Sequence, residues 1–235
     1  MKIYITRKIP DPAVSLLEEV FEVSMWPEED SCVPRDVLCA ESRDSFGLLS
    51  MLTDKIDEEL LKEAENLRIV SNMAVGYDNI DVGACSRRGI IVTNTPGVLT
   101  EATADLAFGL LLATARRIPE AQKYLRSGLW ETWSPMLLTG LDVWGSTIGI
   151  VGMGRIGTAV ARRAKGFNMR IVYYSRTRDL GVEEELGAEY RSLDSLLKEA
   201  DFVTMHLPLT EQTKGLIGEK EIGLMKREAV LINTA

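Results

Sequence analysis

No stretch of this chain approaches the ~20 consecutive apolar residues that a membrane span requires. Its start, Met1-Lys2-Ile3-Tyr4-Ile5-Thr6, reads as a buried strand and lacks the long apolar core and small-residue cleavage site of a secretory signal. Cysteine is scarce. Cys32, Cys39 and Cys85 are odd in number and fit no metal-ligand spacing, so no metal site is expected and the thiols read as reduced, in a cytoplasm. Positive charge is in deficit: 27 Lys and Arg face 35 Asp and Glu, a net charge of −8. That balance argues against a nucleic-acid surface and for a small-molecule enzyme or a protein binder. The paired arginines, Arg87-Arg88, Arg116-Arg117 and Arg162-Arg163, are scattered and read as solvated helix faces beside glutamates. His206 is the only histidine, and glutamine is rare among many Glu, Lys and Arg residues, a composition that suits a heat-adapted source.

What is present is an alternation of short apolar runs with helix-forming stretches, the signature of parallel α/β sheets. A length of 235 residues allows about one to two domains. Residues 3–6, 46–52, 67–72 and 90–93 read as strands. Between them, residues 12–20 form a helix opened by Asp11, and Thr53 or Asp54 is expected to cap the helix that carries Leu60 and Leu61. A further helix covers residues 82–88. After the turn Asn94-Thr95-Pro96-Gly97, residues 100–118 read as a long helix buried nearly all round, lying between domains or subunits. Trp130, Trp133 and Trp144 then fall in or beside an irregular segment, where they serve either as anchors of a subunit contact or as filling under a loop.

The most informative stretch is Thr147-Ile148-Gly149-Ile150-Val151-Gly152-Met153-Gly154-Arg155-Ile156-Gly157-Thr158. An apolar β-branched run ends in G-x-G-x-x-G and a helical stretch follows at once, with a second apolar run at residues 170–174. In a dinucleotide site the first glycine permits the tight turn, the second admits the pyrophosphate and the third lets helix and strand pack closely. The phosphates would meet free N–H groups at the positive end of the helix dipole. Where an NAD enzyme carries an acid for the ribose 2′-hydroxyl, this chain has Ser175-Arg176-Thr177-Arg178. Hydroxyls with one or two guanidinium groups suit a 2′-phosphate, so NADPH is favoured over NADH. His206, at the end of the strand at 201–205, is expected to border the cofactor. In the loop Met73–Asp81, the amides of Val75 and Gly76 hold a carboxylate, or Asp78 or Asn79 caps the next helix; the residues alone leave both open.

Taken together, Val75–Asp81, Asn94–Gly97, Gly149–Gly157, Tyr173–Arg178, His206–Thr210 and Val230–Ala235, in this order, resemble the D-isomer-specific 2-hydroxyacid dehydrogenases, and within them the archaeal-type glyoxylate/hydroxypyruvate reductases. The resemblance implies two doubly wound parallel-sheet domains: a flavodoxin-like substrate domain over residues 1–98 and a Rossmann cofactor domain over 99–235, with the active site in the cleft between them. It implies that Gly152, Met153, Gly154, Arg155, Ile156 and Gly157 hold the pyrophosphate and that Ser175, Arg176 and Thr177 take the 2′-phosphate side. It places His206, Pro208, Thr234 and Ala235 along the cofactor, and Val75 and Gly76 on the substrate carboxylate, with Leu52 as an apolar wall. The implied reaction is hydride transfer between a nicotinamide and the 2-carbon of a small oxo acid, in a homodimer free of membrane and nucleic acid. The family's catalytic arginine, glutamate and histidine would fall past Ala235, so no catalytic residue is expected within 1–235. The expectation is therefore a cofactor domain incomplete at its C-terminus, a chain without turnover by itself, and an uncovered apolar sheet edge. Phosphoglycerate- or D-lactate-type dehydrogenases, and a non-catalytic NAD(P)-sensing module, are the alternatives.

Overall fold

The strand β1 (Lys2–Ile5) buries both of its faces, Ile3 and Ile5 on one and Tyr4 on the other, as a strand covered by helices on both sides must. After it come α1 (Asp11–Glu18), β2 (Glu22–Met25), α2 (Arg35–Asp44), β3 (Gly47–Ser50), α3 (Glu58–Glu63), β4 (Ile69–Asn72), α4 (Val82–Arg87) and β5 (Ile91–Thr93). The strands form one parallel sheet in the order β2-β1-β3-β4-β5. This is the flavodoxin-like order, which reverses direction between β1 and β3. Tyr4, Leu48 and Val70 pack with Leu38, Leu60, Leu61 and Ala84 on one face; Ile3 and Ile5 pack with Val14, Leu17 and Phe21 on the other. These elements make up a first unit, Met1–Val98, in a computed structural model that describes residues 1–235.

The second unit is Leu99–Ala235. It comprises α5 (Thr100–Ala115), α6 (Ile118–Arg126), β6 (Thr147–Val151), α7 (Arg155–Gly166), β7 (Arg170–Tyr174), α8 (Leu180–Leu186), β8 (Glu189–Tyr190), α9 (Leu193–Glu199), β9 (Phe202–Met205), α10 (Glu219–Ile222) and β10 (Val230–Asn233). Its parallel sheet runs β10-β9-β6-β7-β8, which is 3-2-1-4-5 read from the other edge in order of occurrence, the Rossmann winding. Ile148 and Ile150 face α5 and α7, while Val151, Val172 and Val203 face Leu196 and Leu197 of α9 and Ala200 at its C-cap. Two doubly wound parallel sheets are thus the fold class that the alternation of apolar runs and helices implies.

Several local expectations are overturned. β2, α2 and α6 are not among the expected elements; β2 is an edge strand with polar Glu22 and Ser24, and none of its side chains is fully buried, whereas α6 is amphipathic. Asp11 does not cap α1. Pro10 holds the N-cap position and Asp11 sits in the first turn, where its charge meets the helix dipole. Neither Thr53 nor Asp54 caps α3; Asp57 does, accepting from the Leu60 amide at 3.1 Å. The long helix α5 ends at Ala115, and Arg117, in the left-handed region at φ 53°, turns the chain into α6. Nor is α5 buried all round: Ala104, Ala107, Phe108 and Leu111 are buried, while Leu106 is 58% and Leu110 41% exposed. Its sequence is apolar on every side, but the unit's core covers only one. The three tryptophans do not fill a core either, since Trp130, Trp133 and Trp144 are all exposed. The arginine pairs do meet acids: Arg87 and Arg88 approach Glu58, Arg117 meets Glu120 and Arg162 meets Glu185.

Candidate functional site

In a doubly wound sheet, ligands bind beyond the carboxyl ends of the strands where the winding reverses. In the second unit that point lies between β6 and β9, and the turn leaving β6 is Gly152-Met153-Gly154. Gly152 has φ +103°, a conformation few side chains tolerate, and a Cβ there would lie 2.5 Å from the carbonyl oxygen of His206. A Cβ on Gly157 would collide with the carbonyl of Gly152, so α7 rests directly on the turn. Gly154 is different, since nothing lies within 4 Å of where its Cβ would be. It is also the N-cap of α7 and has no side chain to accept from the first-turn amides. Behind it Arg155 is exposed and Ile156 partly buried, so uncapped N–H groups face open space at the positive end of a helix dipole. Met153 is buried beneath.

At the end of β7, Ser175, Arg176 and Thr177 form an irregular turn in which Arg176 and Thr177 are exposed. The two guanidinium groups have different fates. Arg178 makes a bidentate pair with Glu183, Nε and Nη2 donating at 2.7 Å each, and so is committed to α8. Arg176 makes no hydrogen bond or ion pair, leaving one free cation at the strand end. His206 follows β9; its backbone packs on the glycine turn and its Nε2 lies 2.9 Å from Thr204 Oγ1. Burial pushes the imidazole down to about 4, so it is neutral at physiological pH. It faces no carboxylate and is not built as a proton donor. Pro208 lies on the exposed segment beyond. Thr234 and Ala235 follow the adjacent strand β10, and Thr234 Oγ1 is buried without a hydrogen-bond partner.

These features fit a dinucleotide. A space that a Cβ at Gly154 would enter, uncapped amides beside it, a free guanidinium at the tip of the next strand and an orphan hydroxyl at the same sheet end all call for polar ligand atoms.

In the first unit the loops after β3 and β4 carry the other predicted residues. Leu52 is 56% exposed, and a Cβ on Gly76 would lie 3.7 Å from Leu52 Cδ2, so the two loops touch here. Val75 is exposed and Gly76 partly buried. The alternative capping roles for Asp78 and Asn79 are excluded: Asp81 caps α4, accepting from the Ala84 amide at 2.7 Å. Asn79 is engaged elsewhere. Its Nδ2 donates to the carbonyls of Met51 at 3.0 Å and Asp54 at 2.9 Å, and its Oδ1 accepts from Asn72 Nδ2 at 3.2 Å. Asn72 also donates to the Gly76 carbonyl at 2.8 Å, while its own Oδ1 accepts from Ser50 Oγ at 3.0 Å. Asp54, buried, accepts from the Met51 amide at 2.7 Å and from Thr6 Oγ1. Reading the sequence does not single out Asn72, Asn79 and Asp54 as one group. Their one signal is polarity at strand ends that are otherwise apolar.

The fold and these sites define a class: a two-unit parallel α/β protein whose second unit has a Rossmann winding and a glycine turn at its switch point that has room for a nucleotide. Comparison with known proteins narrows it. Residues 108–235 match the D-isomer specific 2-hydroxyacid dehydrogenase, NAD binding domain. The chain is 56% identical to a glyoxylate reductase of Thermococcus gammatolerans, over 100% of this chain and 71% of that protein. Among solved structures, the TT0316 protein from Thermus thermophilus superimposes with a TM-score of 0.93 at 45% identity, covering 100% of this chain and 74% of that one. D-lactate dehydrogenase from Aquifex aeolicus, complexed with NAD and lactic acid, does so with a TM-score of 0.86 at 29% identity, covering 100% and 69%. The chain belongs to the D-isomer specific 2-hydroxyacid dehydrogenase family. It is an NAD(P)-dependent oxidoreductase acting on small hydroxy or oxo acids.

Proposed function

We propose that the protein is an NADPH-preferring reductase of small 2-oxo acids, converting glyoxylate to glycolate and hydroxypyruvate to D-glycerate. The observation that carries the cofactor half is the free Arg176 at the tip of β7, where an acid would favour NADH. The substrate half is supported by the likeness to the Thermococcus glyoxylate reductase and by the exposed Val75 and Leu52 on either side of the partly buried Gly76.

In this reading the first-turn amides of α7, from Arg155 onward, neutralise a pyrophosphate and Gly154 gives it room. Arg176 and the hydroxyls of Ser175 and Thr177 donate to a 2′-phosphate through charge-assisted hydrogen bonds. Thr234 Oγ1 donates toward the nicotinamide side, beside Ala235, with His206 and Pro208 bordering the dinucleotide. The Val75 and Gly76 amides hold the oxo acid's carboxylate, and Leu52 disfavours long side chains. When bound, the nicotinamide supplies the hydride that reduces the 2-carbon. Neutral His206, held by Thr204, serves packing and not proton transfer, and the first unit and second unit serve acid and nucleotide respectively. The free cysteines support a cytoplasmic enzyme. Exposed Trp130, Trp133, Met136, Leu106 and Leu110 in the second unit support a homodimer.

Turnover of the full-length protein on a panel of oxo acids tests this. The expected order of kcat/KM is glyoxylate and hydroxypyruvate first, with pyruvate and phosphohydroxypyruvate lower by about tenfold or more, a gap that contacts of about 1.4 kcal/mol produce. Pyruvate or the phosphorylated acid as best substrate would reassign the enzyme to the D-lactate or phosphoglycerate type.

A further inference from the structure

We infer that Asn79 is a positioning residue whose amide locks the Leu52 loop to the Val75-Gly76 loop, so that apolar wall and carboxylate-binding amides are presented as one rigid body. The inference rests on the substrate reading above and assigns its geometry to residues that touch no substrate. Both N–H groups of Asn79 are used on the β3 loop, at Met51 O and Asp54 O, on either side of Leu52 and Thr53. Its carbonyl is used on Asn72, whose amide in turn holds Gly76 O at 2.8 Å. The peptides that carry the Val75 and Gly76 N–H groups are held on their other side, Thr95 N donating to Ala74 O at 2.9 Å and Asn94 Nδ2 to Val75 O at 2.8 Å. The Asn79–Asn72 link fixes the Gly76 carbonyl just beyond them, and with Met51 and Asp54 tied to the same amide, Leu52 is kept beside Gly76. The Asp54 carboxylate closes the β3 loop on itself through the Met51 amide and anchors it to Thr6 at the end of β1. Every bond in this chain of contacts is at least partly sheltered from water, where a hydrogen bond is worth more and its loss is felt more.

Only an amide can do this work. Two donors and one acceptor are needed on one planar group, and the isosteric carboxylate would place negative charge against two carbonyl oxygens. The loops are also zipped by backbone bonds that a side-chain change leaves alone, Ile56 N donating to Asn79 O at 2.9 Å and Asp81 N to Ile56 O at 2.8 Å. Loss of the side-chain lock therefore loosens the two loops without removing the strands that carry them.

The test is Asn79→Asp in the full-length protein, with kcat and KM measured for glyoxylate, 2-oxobutyrate and NADPH between pH 5.5 and 8. At pH 8 the expected result is a glyoxylate KM raised about tenfold or more, since two partly buried hydrogen bonds are lost and a charge faces their carbonyls. The NADPH KM should stay within about twofold and kcat should fall less than KM rises. Preference for glyoxylate over 2-oxobutyrate should shrink by roughly threefold or more as the wall loosens. On acidification the introduced carboxyl protonates and regains one donor, so the ratio of variant to parent KM should fall. A variant with parental glyoxylate KM and preference, altered only in thermal stability, overturns the inference while leaving the substrate reading intact. A parent that reduces no 2-oxo acid overturns that reading and this inference with it. If Asn79→Asp does not accumulate folded, Asn79→Ser, neutral and too short to reach both carbonyls, carries the same KM test.

Discussion

Gly152 and His206 meet backbone to backbone at the turn that leaves β6. The Gly152 φ of +103° and the 2.5 Å approach to the His206 carbonyl leave no room for a methyl group. Gly152→Ala is expected to cost about 1–3 kcal/mol of backbone strain and to weaken nucleotide binding, read together from urea unfolding and NADPH titration. A variant that binds NADPH like the parent would remove the turn from the site. His206 gives a pH signature. Its imidazole is pushed down to about 4 by burial, against an ordinary value of 6.5. Between those limits the unfolded chain binds a proton that the native chain does not, so stability rises with pH across that window. The contribution is complete above 6.5, declines as pH falls toward 4, and amounts to no more than about 3 kcal/mol. Unfolding of His206→Asn against the parent at pH 4.5 and 7 checks it: the parent should lose more stability on acidification. Equal losses would mean that the imidazole titrates freely in the native state.

At the scale of elements, the second sheet is held at its β8 edge by charge. Arg170 of β7 pairs with Glu189 of β8 and Glu199 of α9, and Arg191 pairs with the same two acids. Hydrogen bonds from Arg170 and then Arg191 pull the Glu189 carboxyl down to about 2. Its stabilisation is present above the ordinary value of 4.5 and is lost as pH falls through about 2. The group is largely exposed, so salt should erode the effect. Glu189→Gln is expected to flatten the acid limb of the stability curve below pH 4.5 at low ionic strength, and to do little in 1 M salt; an unchanged acid limb would count against the pairing.

Elements of this kind differ in how far the sequence announces them. β6 and α7 are legible because a β-branched run, a glycine turn and a helical stretch coincide over Thr147–Gly166. Asp57 and Asp81, immediately before their helices, displace the earlier capping candidates, and Asp54 and Asn79 are recruited instead into contacts between loops, which no local pattern reveals. β2 is short and polar and is defined by the sheet it joins, whereas α6 is hidden because the apolar run before it reads as one helix through residue 118.

For the whole molecule, the two parallel sheets follow from the rhythm of apolar runs, and the family follows from motifs spread over the full length. Burial is less legible. The apolar circumference of α5 reads as fully buried, yet Leu106 and Leu110 face outward, and the tryptophans of 130–144 lie beside water. Composition records that a surface is apolar without recording what covers it. On the dimer reading, a second copy covers it: Trp133→Ala with Leu110→Gln is expected to shift the full-length protein from dimer toward monomer in sedimentation velocity, without unfolding it. A parent that sediments as a monomer at micromolar concentration would contradict that reading.

If a dinucleotide lies over the α7 amides with its 2′-phosphate on Arg176, calorimetric titration of the full-length protein and of Arg176→Ala with NADPH and NADH will show it. The parent is expected to bind NADPH about tenfold or more tighter than NADH, the weight of one charge-assisted contact, and Arg176→Ala to abolish this preference while leaving NADH affinity unchanged. Failure of the parent to bind either nucleotide, or a variant that keeps the preference or weakens both nucleotides equally, would contradict it.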